Sequence, residues 1–192
     1  MVGEIRDNET ASLAVNAALT GHLVLSTLHT NSAAGALPRL LDMNVEPFLI
    51  ASTVNAIIAQ RLVRTLCPEK EMYVMNDSEK EALGKIVDIP RTIKTLKNER
   101  IVSPNDDIGT IKWARPKPSE GCKDGYKGRI GVHEVLEMTE SIKTLIMKNS
   151  TASEIEKAAR EQNGMITMLE DGFLKVVQSA TSIEEVLRVT SE

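Results

Sequence analysis

The sequence predicts an α/β fold, and three patterns in it carry that prediction. Residues 1–67 alternate strand-length apolar runs with capped helical stretches. Residues 68–120 lose that periodicity and gather Pro68, Pro90, Pro104, Pro116 and Pro118 among many charges, which reads as an inserted subdomain or a mobile excursion. Order returns at Gly128, where one more strand and a succession of helix-start signals follow.

Taken in order, Met1 and Val2 read as the end of a buried strand, with Glu4 just past it. Asp7 caps a helix whose Ala11, Ala14, Ala17 and Ala18 fall on one face, and Gly21 stops it. His22 to His29 reads as a short buried strand. Thr30-Asn31-Ser32 caps a second helix to about Met43, with Asn44 as its stop, and Pro47 sits in the first turn of a third. Ala56 to Leu66 reads as a strand despite its polar Gln60-Arg61 interruption. In the excursion one short helix is expected near Ser78 to Val87. Gly128 to Met138 is strand-like. Helices are then expected near Thr139, at Thr151 with Glu154 as capping-box partner, near Met165, and at Ser182 with Glu185 completing a second box.

Composition removes several function classes. A net charge of −4 and only 3% aromatic residues argue against a nucleic-acid footprint or a base-stacking platform. No apolar run is long enough to span a bilayer, and no signal peptide opens the chain. Two cysteines, Cys67 and Cys122, are too few for a disulfide framework, so the expected compartment is the reducing cytosol.

Strand, helix, strand at the start implies a right-handed crossover between parallel neighbours. Glu4 then lies beside Thr27 to His29, at the carboxyl ends where α/β sheets bind ligands. A carboxylate there suits polarising a water, and His29, Thr27 or Asn31 suits contact with a terminal phosphate. Seven residues at about 3.3 Å each put His22 about 23 Å from His29, so it serves another contact, at an interface or a moving surface. A plainer reading stays open, in which Asp7 and Glu9 merely favour the helix start and the histidines are ordinary surface residues.

Gly3-Glu4-Ile5-Arg6-Asp7 with Glu9-Thr10, and Thr20 to Asn31 (Thr-Gly-His-Leu-Val-Leu-Ser-Thr-Leu-His-Thr-Asn), resemble two blocks of the secretion ATPase family. These are the hexameric motors of type II secretion and type IV pilus assembly. The first block resembles their Walker B motif and the second their histidine box. Gln60-Arg61-Leu62 and Gly125 to Gly131 with Glu134 are similar to two more. The resemblance implies the C-terminal part of a RecA-like P-loop NTPase domain, with a mostly parallel sheet flanked by helices. It implies a partial core over 1–67, an inserted region with a degenerate cysteine motif over 68–121, a return to the core over 122–138 and a C-terminal helical bundle over 139–192. It also implies ATP and magnesium, a homo-oligomeric ring, an inner-membrane platform protein as partner, and a cytoplasmic protein peripheral to that membrane. Glu4 takes the Walker B carboxylate, and His22 and His29 the histidine-box positions. Arg6 has no assigned role, and Arg61 is open to a nucleotide-binding or a structural one.

Two departures qualify this. No Gly-x-x-x-x-Gly-Lys-[Ser/Thr] occurs in the 192 residues; the one Gly-Lys pair, Gly84-Lys85, has Glu79 and Ile86 at the other required positions. The chain is therefore expected to be a C-terminal portion of a motor, inactive as an ATPase by itself. The alternative is a non-catalytic interaction module derived from that fold. Relatives that bind zinc carry two Cys-x-x-Cys pairs, of which one cysteine each remains, so zinc is not expected. The insertion favours secretion or pilus assembly over retraction.

Overall fold

The computed structural model describes residues 1–190, which form nine helices and four strands in two compact units. The first unit comprises residues 1–59 and 134–165, and the second residues 60–133 with the segment from Ile166. β1 (Ala56–Leu66) pairs with β4 (Tyr126–Glu137), and the unit boundaries at Ala59 and His133 fall within these two strands.

In the first unit, α1 (Asn8–Leu19) starts where the Asp7 side chain accepts a hydrogen bond from Thr10 N, and Gly21 at φ 88° ends the turn after it. α2 (Ala33–Asp42) is capped by Ser32 and followed by Asn44 at φ 60°, and α3 (Pro47–Thr53) has its proline in the first turn. α6 (Glu140–Met147) and α7 (Ala152–Gln162) complete the unit, the latter with the expected Thr151–Glu154 capping box. Ala11, Ala14, Ala34, Leu37, Ile50, Leu136, Ile142, Ile146 and Ile155 form its core. Small alanines on the inner faces of α1 and α2 fit beside the larger aliphatic residues from α3, β4 and α6.

The expectation of a buried strand over His22 to His29 is corrected. The segment is extended and runs parallel to residues 1–5, joined by Val2 N to the Leu25 carbonyl and Ile5 N to the Thr27 carbonyl, both 2.9 Å. It is largely exposed, Leu23 at 82% and Leu25 at 58%. Val24 and Leu28 pack against the core, while Leu23 and Leu25 point away from it.

In the second unit, residues 68–121 are structured. β2 (Lys70–Tyr73) pairs antiparallel with β3 (Trp113–Pro116), from Lys70 opposite Pro116 to Tyr73 opposite Trp113. α4 (Asp77–Gly84) matches the expected short helix and carries an Asn76–Glu79 capping box. α5 (Ile89–Asn98) was not expected, although Asp88 followed by Pro90 is a readable start signal. Trp113 meets Phe173 of α8 (Met168–Val177) edge to face at 6.2 Å, and Arg91 pairs with the buried Glu170 at 2.5 Å. α8 and α9 (Ile183–Thr190) approach closely at Gly172, where a Cβ would lie 2.4 Å from Val186.

Two local readings are corrected here. Ser182 Oγ accepts from Glu185 N at 3.4 Å, as the expected cap would, but the Glu185 side chain does not complete the box. Its carboxylate is taken by Arg64 Nη2 at 2.7 Å, Arg64 N at 3.0 Å, and Arg188 Nη2 and Nε at 2.8 and 3.1 Å. A buried carboxylate goes to the charged donors that reach it, and two guanidinium groups outcompete one backbone amide. The two cysteines also pair. Cys67 and Cys122 form a disulfide because Cys67 N donates to the Gly125 carbonyl at 3.0 Å, which brings the end of β1 against the Ser119–Gly125 turn.

Candidate active site

The site builds from two extended segments held side by side. The two backbone bonds that join residues 1–5 to 25–27 are reinforced by Thr27 Oγ1, which donates to the Gly3 carbonyl at 2.9 Å. Thr27 is thereby spent on positioning. The parallel register puts Glu4 between the two bonds and His29 two residues past Thr27, and His29 Nε2 lies 2.8 Å from Glu4 Oε2. Arg6 Nε reaches the same oxygen at 2.8 Å.

Those contacts set the electrostatics. The hydrogen bond with His29 holds the Glu4 carboxyl below its ordinary range against the opposing desolvation, and Arg6 adds to the lowering. Glu4 is an ionised acceptor at neutral pH. Both partners use Oε2, which leaves Oε1 without a hydrogen-bond partner among the described residues. An anionic oxygen with one free coordination direction, on a partly exposed side chain, fits the water shell of a magnesium ion.

The other sequence-derived candidates fall elsewhere. His22 Nδ1 lies 3.1 Å from Thr20 Oγ1 and 3.3 Å from the Ala17 carbonyl, at the end of α1. Arg61 lies on β1 in the second unit, where Nη1 contacts the Gln60 carbonyl at 3.5 Å. Gly84 and Lys85 close α4, and Lys85 Nζ pairs with Glu81 at 2.9 Å, so they form no phosphate-binding loop.

One contributor had no role assigned from the sequence. Glu134 is buried, and its Oε1 accepts from Ala33 N, the first amide of α2, at 2.6 Å. Ser32 Oγ accepts from Gly35 N at 3.1 Å, so the start of α2 is held twice, directly after the His29 segment. The signal was available. Val132, Glu134, Leu136 and Met138 alternate onto the buried face of β4, and a glutamate in that series requires a partner.

Comparison with known proteins places this geometry in context. A family model described as type II/IV secretion system protein matches residues 1–188. The type IV pilus assembly ATPase PilB of Pseudomonas aeruginosa is 46% identical over 192 residues, all of this chain and 31% of that protein. The type II secretion system ATPase E of Vibrio cholerae is 46% identical over 193 residues, again all of this chain and 34% of that protein. The chain thus spans about a third of these relatives' length. Among solved structures, the pilus retraction motor PilT with bound ADP superposes with a TM-score of 0.59 at 20% identity, covering 99% of this chain and 38% of that one. The fold is the C-terminal part of a RecA-like ATPase, and the chain belongs to the type II/IV secretion system protein family.

Proposed function

We propose that the chain is the C-terminal portion of a hexameric motor that couples ATP hydrolysis to protein export or pilus polymerisation. The observation that carries this is the Glu4–His29 pair at 2.8 Å, at the carboxyl ends of two parallel segments, in a chain 46% identical to a pilus-assembly ATPase over its whole length. Glu4, ionised and anchored through Oε2, would hold a magnesium-bound water through Oε1. Magnesium, when bound, neutralises charge on the phosphates. His29 keeps the carboxylate oriented and, once an incoming phosphate competes for it, can donate to that phosphate instead. Arg6 sustains the carboxylate's charge while His29 changes partner. The ring and an inner-membrane platform partner belong to the same proposal.

The test is a chimera in which this sequence replaces the corresponding third of the Pseudomonas aeruginosa PilB in a strain lacking it. Restored surface pili with the parent sequence, and none with Glu4→Gln at equal protein level, are expected. Pili assembled equally well by the Glu4→Gln chimera would overturn the assignment.

A further inference from the structure

We infer that Cys67 and Cys122 form a reversible thiol–disulfide site that clasps and releases the Ser119–Gly125 turn of the second unit. The pair stands at the base of the 68–121 segment, one cysteine at the end of β1 and the other in the turn before β4. Both are buried, at 2% and 6% exposure, beneath a turn whose Glu120, Gly121, Lys123 and Asp124 are exposed.

Closing a long loop in the unfolded chain gives the disulfide a stabilising effect, but that effect does not decide what reduction opens in the folded unit. There the segment between the cysteines is held independently by the β2–β3 ladder, from Lys70 opposite Pro116 to Tyr73 opposite Trp113. It is tied again by the Arg91–Glu170 pair and the Trp113–Phe173 contact. Within the folded unit the disulfide therefore closes only the small ring running from Cys67 to Lys70 and from Pro116 to Cys122. Opening it frees that ring and leaves the ladder and the aromatic contact in place.

The freed ring has a definite neighbour. Asp124 pairs with Arg64 Nη1 at 3.1 Å, and the Arg64 guanidinium stacks 4.0 Å over the Tyr126 ring. Tyr126 in turn lies 2.8 Å from Ser182 Oγ, at the start of α9. A loosened turn thus withdraws one of the two carboxylates on Arg64 and slackens its stacking partner, while the buried Glu185 remains. Chemically, a dithiol reductant gives two electrons and two protons to the S–S bond. It yields the Cys67 and Cys122 thiols, and the reductant becomes a disulfide; oxidation reverses each step.

Reactive thiols in the 192-residue chain are counted after equilibration in glutathione buffers of graded ratio and quenching in denaturant. In parallel, limited trypsin digestion followed by mass spectrometry reads cleavage after Lys123, with Lys94 and Lys97 on α5 as internal controls. The count is expected to pass from zero to two as the buffer becomes reducing. Cleavage in the turn is expected to rise about tenfold with it while α5 stays protected, because proteolysis follows local opening. Cys67→Ser should cleave fast in every buffer. Two thiols at every ratio, no thiol released short of unfolding, equal turn cleavage in both redox states, or a rise at α5 matching that in the turn would each overturn the inference.

Discussion

Each unit holds a carboxylate between nitrogen donors, and the two arrangements differ in what water can reach. Glu4 is 35% exposed, with Arg6 and His29 at 68% and 78%. Glu185 is 2% exposed and gathers Arg64 and Arg188 around it. Water and salt screen the first cluster, so its partners hold it weakly and are free to exchange. The second is desolvated, so breaking it strands a buried charge. Burial alone would push Glu185 up, but the hydrogen bonds from Arg188 and Arg64 outweigh it and hold its pKa at about 2. The same chemistry thus makes an exchangeable cluster in one unit and a structural clamp in the other.

The sharpest way to break this comparison is Arg64→Ala, which should destabilise the second unit by about 3–5 kcal/mol in urea unfolding, because the buried Glu185 carboxylate loses one of its two guanidinium partners. A loss no larger than that of Glu4→Gln would erase the distinction. Acid sharpens it. A carboxyl lowered in the folded state contributes stability that is complete above its unfolded value of 4.5 and is lost as pH falls towards about 2. Glu185→Gln should therefore flatten the acid limb of the stability profile in that window and lower the plateau above it.

Glu134→Ala comes next, at about 1.5–3 kcal/mol, since a buried amide at the start of α2 loses a charged acceptor. Ser32→Ala, which removes the second hold on the same helix, should be smaller, about 1 kcal/mol. Equal losses from the two would show that charge at that amide adds nothing beyond ordinary capping. Smallest of all is Glu4→Gln, for which thermal unfolding should show no shift in midpoint.

What the sequence made legible was local or topological. Asp7, Ser32 and Thr151 announce helix starts because their acceptors lie within one turn of the chain. The meeting of Glu4 with His29 followed from a parallel crossover, which needs only element order. Glu185 misled because its motif reads as a local cap while its true partner, Arg64, is 121 residues away. The Cys67–Cys122 bond, across 55 residues, and the β2–β3 ladder escaped for the same reason. Each is decided by which distant segments pack together. His22 to His29 failed differently: its apolar pattern is a strand's, but burial requires covering elements that an apolar run does not itself encode.

The central claim is that Glu4 works in catalysis rather than in stability. It is tested most directly by magnesium-dependent ATP turnover in a full-length motor carrying this segment, parent against Glu4→Gln, with nucleotide affinity and thermal midpoint measured on the same preparations. Turnover abolished, with affinity and midpoint essentially unchanged, is the predicted result. Near-normal turnover, or a loss explained by a lowered midpoint, would contradict it.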